Sequence, residues 1–213
     1  MADTKTGHAH AAQHADDHEH HGPEELHVGI LTCSDRSARG ERADTTGPTI
    51  HNLVVDLLKG QVKQYKVVPD NVEAISQTLL EWVDEHQLDL ILTNGGTGLS
   101  PTDVTPEATR KVIERETPWI VSGMVLESLR VTPYAMLTRA TAGIRGKTLI
   151  VNLPGSPKAA TENLTAVGEI LPHAVMIVRG VDPALVRGKK KGEPKPDPAP
   201  AGAVAKNVGG PTC

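Results

Sequence analysis

The sequence has no phenylalanine, and its only aromatic residues are Trp82, Trp119, Tyr65 and Tyr134. A nucleotide bound by this chain would therefore be held by backbone and aliphatic contacts rather than by stacking on aromatic rings. Positive charge is not in excess either, because 22 Lys and Arg residues stand against 26 Asp and Glu residues, for a formal net charge of −4. We expect no nucleic-acid partner, since proteins that bind nucleic acids usually carry a basic surface.

Cysteines and long apolar runs are also scarce. Cys33 lies in an apolar stretch and Cys213 is the last residue, so the two do not form a disulfide framework, and such a pattern is typical of a reducing compartment. No apolar stretch approaches the roughly 20 residues that a membrane-spanning helix needs. The first residues have neither the apolar core of a signal peptide nor a basic transit pattern. We expect a cytosolic (cytoplasmic) protein with no membrane partner.

The two ends of the chain differ in composition from the middle. Residues 1–25 are rich in His, Ala, Asp and Glu, and residues 187–213 form a basic tail rich in Pro and Gly. Neither segment can bury enough apolar surface to offset the entropy lost on ordering, so both are predicted to be disordered. The His-rich segment could bind a divalent metal weakly, but a solvated tail is favoured because no spacing fixes a ligand geometry. The folded domain is predicted to span residues 26–186.

Between the tails, apolar runs typical of buried strands alternate with segments of helical periodicity. Strands are predicted at 27–33, 62–69, 88–93 and 147–154. Helices are predicted at 48–58 (closed by Gly60 as a C-terminal cap), 71–86, 106–116 and 119–130, and as two closing helices broken before Pro172. This alternation favours βαβ units, so we predict an α/β fold with three layers, α/β/α, around a mostly parallel sheet.

Polar residues and glycines follow the predicted strands at the points where the strands end. In parallel sheets, ligands bind at the carboxyl ends of the strands, so we expect these exits to form one pocket. The exits are Ser34 and Asp35, then Asp70, then the run from Asn94 to Gly98, and finally Asn152 to Gly155.

The run Gly95-Gly96-Thr97-Gly98 can bring backbone N–H groups close to an anion, because three of its residues have no Cβ. It is not a P-loop, since no Gly-Lys-Ser/Thr follows. It is not the dinucleotide fingerprint either, since Pro101 stands where the third glycine would be. A tight turn without a ligand is the alternative for any glycine cluster. The strand before the run and the acid after it favour a phosphate-binding loop.

Two carboxylates near this loop are candidate metal ligands. Thr105 is expected to cap the next helix, with Pro106 at the first helical position, which leaves Asp103 available to hold Mg²⁺ together with substrate phosphates. A surface Asp without such a role is the alternative. Asp70 begins a capping-box pattern, so the residues alone favour a helix N-cap over a ligand. Asp35 has the same ambiguity.

Covalent catalysis has no candidate residue. No Ser-His-Asp or Cys-His set is visible in the sequence, and Cys33 lies within a predicted strand as a core residue. An enzyme of this sequence is therefore predicted to act by positioning and electrostatics, as phosphoryl and nucleotidyl transferases do. The candidate cations for offsetting phosphate charge are Arg36, Arg39, Arg139 and Lys158, and Arg42 is a further arginine near Asp35 that could neutralise it or meet phosphate.

Several motifs, in order along the chain, resemble one known family. They are LTCSDRSARGERADTTGP, VVPD, LILTNGGTGLSPTDVTPEATRKVIERETP, ESLRVTPYAMLTRATAGIRG and TLIVNLPGSPKA. Together they are similar to the MogA-type molybdopterin adenylyltransferases of the MoaB/Mog family, and to the G domains of gephyrin and of the plant molybdenum-insertion protein. The resemblance covers roughly residues 26–182.

The resemblance implies a reaction of molybdenum cofactor biosynthesis. In this family, the terminal phosphate of molybdopterin attacks the α-phosphate of Mg·ATP, which releases pyrophosphate and leaves adenylylated molybdopterin. The family fold is a three-layer α/β domain that forms a homotrimer, and its product passes to a separate E-type molybdenum-insertion protein. The alternatives are a non-catalytic molybdopterin-binding or scaffold module on the same fold and a MoaB-like paralogue. The intact DVTPEAT motif argues against the bacterial form of that paralogue.

The resemblance also implies roles for residues, and it overrides the helix-cap interpretation of Asp70. Thr138 stands where relatives have Ser, and Trp119 stands where relatives often have Gly; neither departure removes a carboxylate. The implied catalytic and metal-binding residues are Asp70 and Asp103. The implied ATP- and phosphate-binding residues are Ser34, Asp35, Gly95, Gly96, Thr97 and Gly98. The implied molybdopterin-binding residues are Ser128, Thr138, Asn152, Pro154 and Gly155.

Overall fold

The structure is a computed structural model that describes residue 23 and residues 25–181. The two predicted tails, residues 1–25 and 187–213, lie outside the described residues except for Pro23 and Glu25. Within the described residues, no helix is both long enough and apolar enough to span a bilayer.

A six-stranded sheet with strand order β2-β1-β3-β6-β5-β4 forms the centre of the fold. The first four strands in this order are parallel, whereas β5 runs antiparallel to both β6 and β4. The sheet is therefore mostly parallel, as predicted. The strands are β1 (His27–Cys33), β2 (Gln61–Val68), β3 (Leu90–Asn94), β4 (Arg115–Glu116), β5 (Ala142–Arg145) and β6 (Thr148–Leu153).

Helices cover both faces of the sheet, which confirms the three-layer α/β/α prediction. Side chains of β1, β3 and β6 alternate between two buried clusters, because successive residues of a strand point to opposite faces. One cluster joins the sheet to α2, α5, α6 and α7, and the other joins it to α3 and α4. The helices are α1 (Asp35–Ala38), α2 (Thr46–Asp56), α3 (Val72–Asp84), α4 (Thr105–Val112), α5 (Pro118–Val131), α6 (Pro157–Val167) and α7 (Leu171–Val178), with a 3₁₀ helix at Pro133–Leu137.

The structure differs from the predicted elements in the segment after α4. The helix predicted for residues 106–116 ends at Val112, and β4 follows it. The backbone there pairs with β5, since the N–H of Glu114 donates to the carbonyl of Ile144. Neither β4 nor β5 was predicted. The strand β4 is polar and pairs with a strand distant in sequence, whereas β5 pairs with β6 across a two-residue turn but has only four residues, too few for a clear apolar pattern.

The end of α2 is a smaller correction. Gly60 was predicted to cap this helix, but the residue with a positive φ is Lys59, at 54°. Gly60 instead lies against the core, where a Cβ would be 3.2 Å from side-chain atoms of Leu26 and Val28. Glycine is favoured at this position because there is little room for a Cβ, and not because the backbone is left-handed.

Candidate active site

A polar pocket of about 190 Å³ lies at the carboxyl ends of β1, β2, β3 and β6. It brings together residues from all four of the predicted strand exits, as expected for a parallel sheet. Its walls comprise Thr32, Cys33, Ser34, Ser37, Arg42, Ala43, Asp44, Thr45, Thr46, Asp70, Asn94, Gly95, Gly96, Asp103 and Gly155.

The first two strand exits are joined by reciprocal hydrogen bonds between Asp35 and Asp70. The N–H of Asp35 donates to Oδ2 of Asp70 at 2.9 Å, and the N–H of Asp70 donates to Oδ1 of Asp35 at 3.1 Å. The cap of α3 is Asn71, whose Oδ1 accepts from the N–H of Ala74. The prediction from the residues alone that Asp70 caps this helix is therefore wrong, because its carboxylate turns toward β1 instead.

The other oxygen of Asp70, Oδ1, is buried and has no hydrogen-bond partner in the described part of the chain. Burial raises the pKa of this carboxyl. The hydrogen bond from the Asp35 N–H partly offsets that effect, and the nearby charges of Asp35 and Asp103 add to it. Leaving a buried carboxylate oxygen unpaired is unfavourable, so the site fits a bound cation such as Mg²⁺.

Asp103 approaches the same pocket from the turn before α4. Its Oδ2 accepts from the N–H of Ser100 at 3.0 Å, and its own N–H donates back to the Ser100 carbonyl. Thr105 does not cap α4 as predicted: it is the first helical residue, and its buried hydroxyl has no hydrogen-bond partner among the described residues. Val104 occupies the cap position and makes no side-chain hydrogen bond there.

Glycine is required at the two loop residues that face this pocket. Gly95 and Gly96 have φ angles of 92° and 59°, in the left-handed region that other residues avoid. A Cβ on Gly95 would lie 2.3 Å from the carbonyl oxygen of Cys33. A Cβ on Gly96 would lie 2.6 Å from the Thr105 hydroxyl and 3.0 Å from Oδ1 of Asp70. Gly96 therefore keeps the space beside the unpaired carboxylate oxygen open.

A second, apolar pocket of about 290 Å³ lies beyond the same loop. The loop is divided between the two pockets: Gly95 and Gly96 line the polar one, and Thr97 and Gly98 line the apolar one. Gly155, grouped by resemblance with the molybdopterin side, lines the polar pocket. The apolar walls comprise Thr97, Gly98, Val121, Met124, Val125, Ser128, Thr132, Tyr134, Ala135, Leu137, Thr138, Ala140, Asn152, Pro154, Ala159, Glu162 and Asn163.

Asn152 forms part of the floor of the apolar pocket, and its side chain is completely buried. Its Nδ2 donates to the hydroxyls of Thr93 and Thr109, both at 2.9 Å. Its Oδ1 accepts from the N–H of Thr141 at 3.1 Å. Asn152 thus joins β6, β3, α4 and the segment before β5, and through them it fixes the shape of the pocket.

Sequence reasoning missed Asp44, which organises the wall of the polar pocket. Its Oδ2 accepts from the hydroxyls of Thr32 at 2.5 Å and Tyr65 at 2.6 Å. Its Oδ1 accepts from the N–H groups of Thr46 and Gly47 at the start of α2. The position of Asp44 two residues before a helix was the available signal, since such residues often accept hydrogen bonds from first-turn amides.

The Asp44 contacts predict a pH-dependent contribution to stability. Partial burial acts to raise the pKa of this carboxyl, but the four hydrogen bonds outweigh it and leave the pKa below its ordinary value. A lowered pKa contributes stability that is present above about pH 4 and is lost as the pH falls through the folded-state pKa. We expect Asp44→Ala to reduce the free energy of unfolding by about 2 kcal/mol at neutral pH, and by less in acid.

Urea unfolding of both proteins across this pH range measures the effect. The control is Asp56→Ala, which removes an exposed carboxylate from the end of the same helix. A loss for Asp44→Ala that stays constant from neutral to acid pH would show that the ionised carboxylate is not the stabilising species.

A family model described as a probable molybdopterin binding domain matches residues 29–173. The chain is also 40% identical over 156 residues to the molybdopterin adenylyltransferase of Helicobacter pylori, an alignment that covers 73% of this chain and 89% of that protein. The chain belongs to this molybdopterin-binding domain family. A solved structure of the molybdopterin biosynthesis enzyme MoaB from Thermus thermophilus is similar to this domain, with 52% identity, a TM-score of 0.69, and coverage of 73% of this chain and 97% of that one.

Longer proteins contain a similar domain. The chain is 43% identical over 164 residues to the molybdenum cofactor synthesis protein cinnamon of Drosophila melanogaster, covering 77% of this chain. It is 45% identical over 168 residues to gephyrin of Dictyostelium discoideum, covering 73% of this chain. This molybdopterin-binding domain spans only 27% and 23% of the lengths of those two proteins.

The molybdopterin-binding domain uses one predicted phosphate-binding cation, Arg139, to hold its loop. The guanidinium pairs with Glu107 and donates to the carbonyls of Gly98 and Asp103. The guanidinium is thus already bound to protein groups rather than available to a phosphate. Of the other predicted cations, Arg39 pairs with Glu41, and Lys158 and Arg36 are exposed. Arg42, predicted as one of three arginines near Asp35 that could meet phosphate, is the one Lys or Arg among the described residues that lines the polar pocket.

Cys33 of the molybdopterin-binding domain is a buried core residue, as predicted. Burial raises the pKa of its thiol to about 12; the neighbouring Thr105 side chain opposes this shift, and the charge of Asp70 adds to it. The thiol is therefore protonated at neutral pH, so it is not a nucleophile.

Proposed function

We propose that this chain is a molybdopterin adenylyltransferase that transfers AMP from ATP to the terminal phosphate of molybdopterin and releases pyrophosphate. The observation that carries the proposal is the pair of pockets on either side of the Gly95–Gly98 loop. One pocket presents carboxylates and a glycine backbone, and the other presents an apolar cavity large enough for a ring system. The H. pylori relative bears the name of this activity.

The polar pocket is the proposed site for the reacting phosphates. Both reactants are anionic, so their mutual repulsion must be reduced before bond formation. Asp70 and Asp103 would hold Mg²⁺, which when bound supplies positive charge that offsets the phosphate oxygens. The N–H of Gly95 is engaged with the Leu153 carbonyl, whereas the N–H of Gly96 has no partner in the described residues and is free to donate to a phosphate.

Binding Mg²⁺ in this pocket does not require three protein carboxylates. Among the described residues no group of three or more His, Cys, Asp or Glu side chains is arranged to hold a metal. Mg²⁺ commonly takes one or two protein carboxylates and completes its coordination with water and substrate phosphates. Asp70 and Asp103 match that requirement, and Ser34 and Asp35 are proposed to support the same phosphate side.

The chain needs no proton-transfer group for the proposed chemistry. The phosphate nucleophile of molybdopterin is already ionised at neutral pH, and pyrophosphate is a good leaving group. The residues therefore act by binding and orienting, with contributions from fixed dipoles and charge. The protonated Cys33 thiol and the absence of a Ser-His-Asp set in the sequence are consistent with this mechanism.

The apolar pocket is the proposed site for the pterin. Ser128, Thr138 and Pro154 line it, and Asn152 supports it from below. The resemblance implies Ser in relatives where this chain has Thr138, and we expect the additional methyl group to narrow the pocket while the hydroxyl is retained. That hydroxyl accepts from the N–H of Ala140 at 3.2 Å.

We also propose a homotrimer in the cytosol that hands its product to a separate E-type molybdenum-insertion protein. Exposed large apolar side chains on α5 and the 3₁₀ helix support an assembled form, because such side chains favour burial in an interface. They are Trp119, Leu126, Leu129, Val131, Tyr134, Met136 and Leu137.

The test of the function uses the purified chain with molybdopterin, ATP and Mg²⁺. We expect adenylylated molybdopterin, identified by mass, and one pyrophosphate for each product molecule. Binding of molybdopterin without product would instead favour the alternative, a non-catalytic molybdopterin-binding or scaffold module on the same fold. Failure to bind molybdopterin would contradict both.

A further inference from the structure

The apolar pocket has one charged side chain among its described lining residues, the carboxylate of Glu162. Every other side chain in the lining is apolar or neutral and polar. The Glu162 side chain is 31% exposed, so it keeps part of its hydration while presenting a negative charge to an otherwise uncharged lining.

Several polar neighbours of Glu162 in this pocket already have hydrogen-bond partners in the protein. Ser128 donates to Oδ1 of Asn163 at 3.1 Å, and Asn163 donates to the carbonyl of Ala159 at 2.9 Å. The hydroxyl of Thr138 accepts a backbone N–H, as described above, and Asn152 has three hydrogen bonds. Among the described lining residues, Glu162 is thus the one charged acceptor, and its carboxylate has no close ion pair.

The nearest cation, Lys158, does not form a hydrogen-bonded ion pair with the Glu162 carboxylate. Nζ of Lys158 lies 3.9 Å from Oε1, which is beyond hydrogen-bond distance. The Lys158 side chain is 80% exposed, whereas that of Glu162 is 31% exposed. A pair of this kind contributes little and is easily separated. The carboxylate is therefore available to a ligand that supplies its own donors.

We propose that Glu162 determines ring specificity by accepting two hydrogen bonds from the pterin, one from ring N3–H and one from the 2-amino group. These two donors are adjacent and parallel, which matches the two oxygens of a carboxylate as an arginine fork does. The amino edge of adenine presents a donor beside an acceptor and cannot make both bonds. The inference rests on the proposed function and assigns the apolar pocket to the pterin rather than to the adenine of ATP.

The placement of the two pockets is consistent with this orientation. Glu162 lies on α6, while Thr97 and Gly98 line the same pocket where it borders the phosphate-binding part of the loop. A pterin held by its amino edge at Glu162 would direct its phosphate-bearing side toward that loop. Glu162 is a binding residue in this account and takes no part in the chemical step.

The test compares two probes, 6-hydroxymethylpterin and the matched lumazine, in which an oxygen replaces the 2-amino group. We expect the original chain to bind the pterin about tenfold to a hundredfold more tightly than the lumazine, because the carboxylate loses a donor and meets an acceptor. In Glu162→Gln the preference is expected to shrink to less than about threefold, with unchanged affinity for ATP. Glu169→Gln, at an exposed residue beyond the end of α6, is the matched control and should keep the full preference.

Two results would overturn the inference. One is an unchanged pterin preference in Glu162→Gln, which would leave the proposed function intact. The other is a loss of ATP affinity in Glu162→Gln as large as the loss of pterin affinity, which would place the nucleotide against Glu162. A pterin preference that depends on Glu162, found in a chain that makes no adenylylated product, would support the inference while contradicting the proposed function.

Discussion

Asp103→Asn is expected to slow adenylyl transfer by about a hundredfold to a thousandfold, the range seen when one preorganised electrostatic contact is removed. The change removes a negative charge from the polar pocket but keeps an oxygen that can accept from the N–H of Ser100. The turn before α4 should therefore remain, and the pterin should still bind in the apolar pocket. Initial rates of pyrophosphate release, with molybdopterin binding measured in parallel, separate the two effects.

The matched control is Asp56→Asn, which changes an exposed carboxylate on α2 far from the metal-binding candidates. It should retain the original rate. Undiminished turnover by Asp103→Asn would rule out a role for this carboxylate in holding Mg²⁺. A loss of molybdopterin binding as large as the loss of rate would instead indicate a damaged fold.

Asn152→Ala is expected to give the largest loss of stability of the changes considered, about 3 kcal/mol. It removes three side-chain hydrogen bonds and leaves the Thr141 N–H and the hydroxyls of Thr93 and Thr109 without this partner in the core. It also opens a small cavity under the apolar pocket. Thermal or urea unfolding measures the change directly.

For this prediction the control is Asn52→Ala, at an exposed residue of α2, which should change stability by less than about 0.5 kcal/mol. Equal stability losses in the two variants would mean that the buried network around Asn152 does not hold β6 to β3 and α4. A large loss of stability together with normal pterin binding would separate the structural role of Asn152 from any direct contact with the ligand.

The central strands and helices could be predicted because local patterns of apolar residues indicate them. The runs that became β1, β3 and β6 are continuous and β-branched, and their helices carry clear periodicity. The strand β4 was missed because Arg115 and Glu116 are polar and pair with residues far along the chain. The strand β5 was missed because its four residues are too few for a clear apolar pattern, although it pairs with β6 across a two-residue turn. The capping errors at Asp70 and Thr105 also arise from contacts distant in sequence. The Asp70 carboxylate accepts from the N–H of Asp35, and the N–H of Thr105 donates to the carbonyl of Gly96.

The sequence predicted that the strand exits meet, but not how the loop is divided between two pockets. The resemblance pointed to Asp70, Asp103 and the glycine loop, and the structure places Asp70, Asp103, Gly95 and Gly96 around one pocket. Sequence order gave no sign that Gly96 and Thr97 line different pockets. Asp44 was missed because its four partners come from β1, β2 and the start of α2, which only the folded chain brings together.

The most direct test of the proposed activity follows the phosphorus atoms of ATP. Single-turnover reactions would use the full chain, molybdopterin, Mg²⁺, and ATP labelled at either the α- or the γ-phosphate. We expect the α-label to appear on molybdopterin and the γ-label to appear only in pyrophosphate. Transfer of the γ-label to molybdopterin, or recovery of both labels in unreacted ATP, would contradict adenylyl transfer by this site.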